Sequence, residues 1–421
     1  MAEVESSPSG LQEDEAMPPW PLAWRLAWGQ LLSWGVLYYA FTALSAPIHA
    51  DTGWSRPVVH GGLSLGLLSW GVFALPVGMW IQRRGARDIM TLGSLLGGVA
   101  FASFGWVQEA WQFYLAWVAV GAAMAALLYE PAFAAVIQAF GSRYRKGIVL
   151  VTLIGGFAST VFLPVSHLLT EHFGWRQACL VLGAGVAFIG VPLHRLGIPK
   201  LSYHRNSPTP PTLAIAESLG AFRNDFRNRS FVLLALWFTL HTAVFSGLIF
   251  LIVPAMTASG AEPASLLSAM ALIGPMQVLG RLLLAAHGAE FSAVRTGRWA
   301  MIVLTLSLLV LVFLPPTFGW LACFGVLFGL GNGILTILKG TAIAEFFGSE
   351  RYAELNGAIA APAMLAKAAA PLLLSVIWEH FASPQWVFVS LLCLLLMGLA
   401  AVCALGRQGR SKGDRSRRRC S

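Results

Sequence analysis

The sequence predicts an all-α membrane protein with twelve transmembrane helices in two pseudo-symmetric six-helix bundles. Of its 421 residues, 57% are hydrophobic and only 11% are charged, and the mean hydropathy is +0.69. A soluble domain cannot hide so much apolar surface. Apolar runs of about twenty residues, long enough to cross a ~30 Å hydrocarbon layer, recur along the whole chain.

Short sequences repeat about half a chain apart, which indicates a duplicated unit. Three matches share an offset of 207 or 208 positions: FGSRY at 140–144 with FGSERY at 347–352, EHF at 171–173 with EHF at 379–381, and Pro164 with Pro371. Parallel repeats in a membrane protein are related by an axis along the membrane normal. A site shared by the two halves is then expected near the midplane between them.

Each half of the chain contains six apolar runs bounded by charged or Gly- and Pro-containing turns. The first half has spans near 24–48, 60–81, 89–108, 111–140, 148–169 and 177–197. The second half has spans near 231–254, 264–286, 298–314, 319–346, 355–378 and 386–406. We therefore predict bundles at 24–197 and 230–406, joined by a polar cytoplasmic linker at 198–229 that is rich in Pro, Ser and Asn.

The two ends of the chain carry opposite charge. Residues 1–23 contain five acidic residues and lack the basic segment of a signal peptide, so we expect an acidic, disordered N-terminal tail. Residues 407–421 contain seven lysines and arginines and are expected to form a basic cytoplasmic tail. This tail either anchors the last helix or contacts anionic lipid heads.

Lysine and arginine lie almost entirely on one side of the predicted topology. With both termini in the cytoplasm, the cytoplasmic segments hold 23 of the 28 basic residues, and the outer loops hold two, Arg56 and Arg176. Basic loops are retained in the cytoplasm during insertion, so this bias sets the orientation. The net charge of +9 follows from the topology and does not indicate nucleic-acid binding. We expect a multi-pass protein of the bacterial inner membrane.

Four charged residues lie inside the predicted spans: Glu130, Arg281, Lys339 and Lys367. A charge near the bilayer centre costs roughly 2.5–3.5 kcal/mol, so such residues usually face a wet cavity and serve a function. Lys367 lies about 16 Å into the eleventh span. It is expected to face a substrate cavity, with a structural ion pair as the alternative. Arg281 is shallower, and either binds a carboxylate or acts as an interfacial anchor or gate.

Glu130 and Lys339 are opposite charges at nearly equivalent positions of the two halves. When the FGS corners are superposed, Lys339 falls two residues from the equivalent of Glu130. We expect an intramembrane charge pair, either across the bundle interface, where it can separate in one state, or static within a bundle. Glu130 could instead carry a coupling proton.

Further polar residues in the spans are candidates for lining a cavity. His241, in the seventh span, could bind substrate or a proton, or hydrogen-bond to a neighbouring helix. Tyr38, Tyr39, Gln277 and Asn332 lie on spans one, eight and ten. Each of them lines the cavity or packs between helices.

No catalytic or metal-binding pattern is present in the sequence. The five cysteines lie far apart, and the chain lacks a HExxH pair, a phosphate-binding glycine loop and a clustered Cys/His set. We therefore expect no enzymatic activity, no metal and no cofactor. Without a nucleotide-binding loop, energy for moving a solute must come from an ion gradient or from substrate exchange.

These observations predict a secondary active transporter, a symporter or antiporter that works by alternating access. Three buried cations against one anion favour a small organic anion, such as a mono- or dicarboxylate, as substrate. Efflux of an amphipathic drug or a metalloid is the alternative, and a membrane receptor or enzyme is a second one. The expected partners are the small-molecule substrate, the lipid bilayer and a coupling proton or counter-transported anion, with no nucleic acid. We expect a monomer.

The loop after the second span resembles the signature of the major facilitator superfamily. In GMWIQRRGAR, at 78–87, Gly78, Arg83, Gly85 and Arg87 match that signature. Gln82 stands where the family usually has aspartate, and Ala86 where it often has a basic residue. The resemblance implies a twelve-helix transporter in which this loop takes part in gating at the cytoplasmic side.

Within that superfamily the chain resembles monocarboxylate transporters and oxalate:formate antiporters. The resemblance rests on WGVLYYAF at 34–41, TGWSR at 52–56, GPMQVLGR at 274–281 and NGILTILKG at 332–340. It implies that Arg281 on the eighth helix and Lys367 on the eleventh hold a carboxylate substrate. The chain departs from the monocarboxylate pattern at Gln277, where those carriers have aspartate, and at Thr42 and Ala43, near which they have a lysine.

Overall fold

A computed structural model describes residues 19–199, 225–286 and 291–417, and in these ranges the chain is helical and contains no strand. The predicted fold class is confirmed. We number the helices α1 (Trp20–Thr52), α2 (Arg56–Arg84), α3 (Ala86–Trp106), α4 (Ala110–Leu127 and Tyr129–Phe140), α5 (Tyr144–Gly155 and 158–173), α6 (175–197), α7 (Arg229–Ala258), α8 (Pro263–Ala286), α9 (Ala293–Phe313), α10 (Phe318–Phe347), α11 (Tyr352–Phe381) and α12 (Gln385–Arg417).

The helix count depends on one long apolar stretch, Ala110–Gly197. The described residues contain ten stretches long and apolar enough to cross a membrane, and this one alone has 88 residues. It turns at Gly141 and Gly174, where φ is +52° and +79°. A residue with a side chain adopts such angles only at a steric cost, which glycine avoids. The two turns divide the stretch into α4, α5 and α6, which accounts for the twelve helices numbered above in the described residues.

Most helices are a few residues longer than the predicted spans. Hydropathy detects the part of a helix that lies in hydrocarbon, whereas the helix itself continues into the interface. At the N-terminus α1 begins at Trp20, so residues 20–23 are helical and do not belong to a disordered tail. At the other end α12 continues to Arg417, through most of the predicted basic tail. The remainder of the predicted tails, 1–18 and 418–421, and residues 200–224 of the predicted linker lie outside the described residues.

The two bundles meet along α2 and α11, near the end of the molecule that carries Arg83 and Arg351. We call this the basic end; it is the predicted cytoplasmic end. The contact is close because it uses small residues. A Cβ atom on Gly78 would lie 2.5 Å from the carbonyl oxygen of Ala353, and one on Gly357 would lie 2.6 Å from that of Ala74.

Other contacts between the bundles also lie toward the basic end. The Tyr144–Gly155 segment of α5 packs on α8 and α10, and the Tyr129–Phe140 segment of α4 packs on α10 and α11. The outer segments of α1 and α5, Ala40–Thr52 and 158–173, pack mainly within their own bundle. The structure therefore represents a state in which the two bundles are closed against each other at the basic end.

Replacing Gly78 with alanine tests the close contact between α2 and α11. The added methyl group has no room beside Ala353, and overpacking of this kind costs about 1–3 kcal/mol. We expect Gly78→Ala to lower the midpoint of thermal unfolding of the purified protein. Gly185→Ala is the matched control, because a Cβ on Gly185 meets nothing within 4 Å. Equal midpoints for the two variants would show that the helices are not in close contact at Gly78.

Candidate functional site

The ammonium of Lys367 lies between the bundles against three aromatic rings. Its Nζ is 4.1 Å from the ring centroid of Tyr38, 5.3 Å from that of Trp70 and 5.7 Å from that of Trp34. We call these three rings the aromatic cage. The residue is only 5% exposed, and among the described residues no carboxylate forms an ion pair with it. Ring faces attract a cation without neutralising it, so the side chain of Lys367 has no counter-charge among the described residues.

A hydrogen bond from α7 fixes the backbone at Lys367. Four residues further along α11, Pro371 lacks the N–H group that would otherwise bind the Lys367 carbonyl. The Ser246 hydroxyl of α7 donates to this carbonyl instead, at 2.6 Å. Pro371 and Ser246 together therefore fix the position of the Lys367 backbone, from which the side chain extends.

The aromatic residues of α1 are placed by a wide helical turn. Residues Gly35–Tyr39 form a π-helical turn, a feature that often marks functional positions. The rings of the neighbouring residues Tyr38 and Tyr39 contact each other, with centroids 5.2 Å apart, and Trp34 contacts Tyr129 of α4 at 5.1 Å. These contacts join the cage to the centre of α4.

Helix α4 is interrupted beside the cage. Leu128 has a ψ of −156°, and Pro131 follows one turn later. The carbonyl of Leu127 would bind the N–H group of residue 131, which proline lacks. Gln30 of α1 takes this place: its Nε2 donates to the Leu127 oxygen at 2.6 Å and to the Leu128 oxygen at 3.3 Å. Tyr129 and Glu130 therefore start a new helical segment at the site.

Glu130 and Lys339 form an ion pair across the bundle interface. The Lys339 ammonium donates to the Glu130 carboxylate at 2.8 Å, and the two side chains are 22% and 11% exposed. Asn356 of α11 donates to the Glu130 carbonyl at 3.5 Å. Of the two geometries that the sequence left open, the structure has the one that links α4 to α10.

Arg281 is held inside the protein, and its side chain does not extend to the membrane–water interface. It is 4% exposed, and its Nη1 donates to the carbonyl oxygen of Thr152 on α5 at 3.0 Å. Its Nη2 lies 3.5 Å from the side-chain oxygen of Gln277, one turn earlier on α8.

His241 and Asn332 meet within the second bundle. The His241 Nε2 and the Asn332 side-chain oxygen are 3.1 Å apart, and this contact links α7 to α10. His241 is therefore hydrogen-bonded to a neighbouring helix, which is one of the alternatives that the sequence left open.

Comparison with known proteins identifies the family. The model of the Major Facilitator Superfamily matches residues 26–338. The chain belongs to the major facilitator superfamily. It is therefore a multi-pass membrane transporter and not an enzyme, as the sequence predicted.

Curated relatives of this superfamily member include monocarboxylate transporters. Monocarboxylate transporter 11 of Homo sapiens is 30% identical over 164 residues, which are 39% of this chain and 34% of that protein. Monocarboxylate transporter 12 of Xenopus laevis is 22% identical over 400 residues, or 87% of this chain and 84% of that protein. The chain thus aligns with about a third of the human relative and with most of the frog relative.

Solved structures of transporters share the fold. The human organic anion transporter MFSD10 (TETRAN) superposes with a TM-score of 0.74 at 15% identity, covering 92% of this chain and 100% of that one. The proton:xylose symporter XylE superposes with a TM-score of 0.69 at 13% identity, covering 92% and 95%. At such low identities the likeness concerns the architecture.

The signature loop of this superfamily member lies at the closed basic end. Gly78 touches α11, Gly85 ends α2 with a φ of +78°, and Arg83 and Arg87 lie in the adjoining turns of α2 and α3. Gln82, which replaces the usual aspartate, donates from Nε2 to the carbonyl oxygen of Glu350 in the α10–α11 loop. A neutral amide therefore makes a contact between the bundles here.

A charged cluster holds the neighbouring α10–α11 loop of the transporter. The Arg351 guanidinium binds both carboxylate oxygens of Asp225, at 2.8 and 3.3 Å, and its Nε donates to Glu354 at 3.2 Å. The hydrogen bonds to Asp225 raise the pKa of Arg351 above its usual value. Asp225 lies shortly before α7, which begins at Arg229, so the cluster ties the end of the predicted linker to the α10–α11 loop.

Sequence reasoning missed several residues that complete the site. Trp34 was visible as the first residue of the WGVLYYAF stretch at 34–41, but Trp70, Ser246 and Thr152 gave no signal. Aromatic and small polar residues are common in membrane helices. One signal was available: a proline inside a span frees a carbonyl and predicts a polar partner on another helix. Pro131 and Pro371 both have such partners, Gln30 and Ser246.

Removing the charge of Glu130 tests whether this residue and Lys339 form an ion pair between the bundles. We expect Glu130→Gln to lower stability by about 3–5 kcal/mol, because it leaves the lysine without its counter-charge. The double variant Glu130→Gln/Lys339→Met should regain most of this loss. Thermal unfolding of the purified variants measures both values. Additive losses in the double variant would contradict a direct pair.

Replacing Gln30 with leucine tests whether its hydrogen bonds to the Leu127 and Leu128 carbonyls stabilise the interrupted helix α4. Two buried carbonyls would lose their donor, at a cost of about 1–3 kcal/mol. We expect Gln30→Leu to lower the unfolding midpoint. Gln138→Leu is the control, because the side-chain oxygen of Gln138 is buried without a partner in the described structure. A stability of Gln30→Leu equal to that of the control would refute the capping role.

Proposed function

We propose that the protein is a secondary active transporter of a small organic anion with a carboxylate group, and that Lys367 binds that carboxylate. The observation that carries this proposal is the buried ammonium of Lys367, which has ring faces around it and no acidic partner among the described residues. The names of the monocarboxylate transporter relatives and of the organic anion transporter with the same fold support it.

The cost of burying the charge of Lys367 favours an anionic substrate. Burying a charge costs several kcal/mol, and contact with aromatic faces returns about 0.5–2 kcal/mol, so the cage compensates Lys367 only in part. A carboxylate that approaches the ammonium supplies the missing charge. A cationic drug would meet repulsion at the same point, which disfavours it as a substrate.

Neighbouring groups complete the proposed site. The hydroxyl groups of Tyr38 and Tyr39 can donate hydrogen bonds to a carboxylate, and the cage rings offer an apolar wall for the rest of a small substrate. His241 and Asn332 line the side of the second bundle in this proposal. Gln277 contributes by positioning Arg281, to which it lies close.

Transport in this proposal follows alternating access. The site first opens away from the basic end, which faces the cytoplasm if the predicted orientation holds. Closure over the bound anion must then separate the contacts at the basic end, including the ion pair between Glu130 and Lys339. Because this pair bridges the bundles, it can link their movement to a coupling proton on Glu130 or to the exchange of a second anion.

Uptake into proteoliposomes tests the function and the site together. We expect the protein to accumulate at least one of radiolabelled pyruvate, L-lactate, benzoate or oxalate. Loss of a charge-assisted hydrogen bond is worth about 1.5–3 kcal/mol, so Lys367→Met should reduce kcat/KM for that substrate roughly 10- to 100-fold.

Lys146→Met serves as the control, since Lys146 is an exposed lysine at the basic end. It should transport at the rate of the unmodified protein. Carboxylate uptake that persists in Lys367→Met would refute the site. Transport of an amphipathic drug or a metalloid, with no carboxylate uptake, would refute the function.

A further inference from the structure

We propose that Arg281 acts as a latch, a residue whose hydrogen bond between the bundles holds the basic end closed. Gly156 is a positioning residue in this proposal, because it leaves room for the guanidinium of Arg281. In this assignment the guanidinium binds the Thr152 carbonyl while the basic end is closed, and becomes available to an anion when that end opens. The inference rests on the proposed function in one respect, because it requires that the protein alternates between two open forms.

The bond between Arg281 and Thr152 joins the two bundles. Arg281 belongs to α8 of the second bundle, Thr152 to α5 of the first, and the donor and acceptor atoms are 3.0 Å apart. The arginine is almost completely buried there, so this contact is not a mobile surface pair. Any movement that separates α5 from α8 must break it.

Gly156 provides the space in which the guanidinium lies. A Cβ atom at this position would be 1.7 Å from Nη1 of Arg281, which is far closer than two atoms can approach. The helix is also interrupted here: α5 pauses between Gly155 and Ala158, and the Gly156 N–H donates to the same Thr152 carbonyl at 3.0 Å. Any other residue at 156 would displace the arginine from its acceptor.

Arg281 has few other hydrogen-bond partners that could replace the carbonyl of Thr152. The Nε of Arg281 is buried without a partner in the described structure, and Gln277 is 3.5 Å from Nη2. A buried guanidinium that loses its acceptor is strongly disfavoured, because its charge is then left without a partner. When the bundles part at the basic end, water or an anion must therefore take the place of Thr152.

This exchange of partners makes the anion site different in the two forms. In the form described here, Arg281 is occupied by the protein, and Lys367 is the buried cation that has no acidic partner among the described residues. In the form open at the basic end, both cations can contribute. A ligand that binds one state better shifts the population toward it, so an anion bound by both cations would stabilise that second form.

Distance measurements between spin labels on the substrate-free protein test the latch. Labels at Lys146→Cys and Ser349→Cys, exposed positions of the two bundles at the basic end, report opening in a background without other cysteines. Loss of one charge-assisted hydrogen bond corresponds to about a 10- to 100-fold fall in the ratio of closed to open forms. We expect this fall in Gly156→Ala, seen as a new population at longer distance.

Two further variants separate the latch from general packing damage. Arg281→Met removes the donor but keeps an apolar chain of similar length, so it should open the basic end without needing Gly156 to change. Adding Gly156→Ala to Arg281→Met should then have little further effect. Gly185→Ala, which meets open space, should leave the distances unchanged.

The outcomes distinguish this inference from the proposed function. Unchanged closed distances in both Gly156→Ala and Arg281→Met overturn the latch, even if carboxylate transport is found. Opening in Gly156→Ala but not in Arg281→Met also overturns it, because the effect would then come from the glycine alone. Opening in both supports the latch whether or not any of the tested carboxylates is transported, since no substrate is added.

Discussion

Inside a membrane a freed carbonyl or a charged side chain can be satisfied only by another part of the protein, and the centre of this transporter follows that constraint. Two prolines free carbonyls on α4 and α11, and Gln30 and Ser246 donate to these groups from the first helix of each bundle. The interruption of α4 then places Glu130, and the anchored stretch of α11 places Lys367. Local irregularity therefore positions the charges.

The buried charges are satisfied to different degrees, and this gradation gives them different roles. Lys339 has a full carboxylate partner, Arg281 has a backbone carbonyl, and Lys367 has the faces of aromatic rings. The first two contacts connect the bundles, and in the proposed function they belong to one state of the transport cycle. The least neutralised cation is the one best suited to attract an external anion.

Much of the fold and part of the site could be predicted from the sequence. The spans, the duplication and the intramembrane charges are properties of the linear chain, and the structure has the helices where hydropathy placed them, with longer ends. The pair of Glu130 and Lys339 was foreseeable from the pseudo-symmetry of the two halves. Trp70 in the aromatic cage and Thr152 beneath Arg281 were not, because each becomes relevant only through a residue on a distant helix.

The sequence by itself determined that the chain crosses the membrane repeatedly, that its halves are related, and that a few costly charges lie within it. These three properties follow from the composition of the chain and from the spacing of its apolar runs and repeats. Whether a segment is apolar enough to cross the membrane depends on the transfer energy of each of its residues. The tertiary structure decided which partner each charge has and which end of the molecule is closed. Both depend on close approach between helices far apart in the chain, as at Gly78 and Gly156, and this approach is a property of packing that no local pattern encodes.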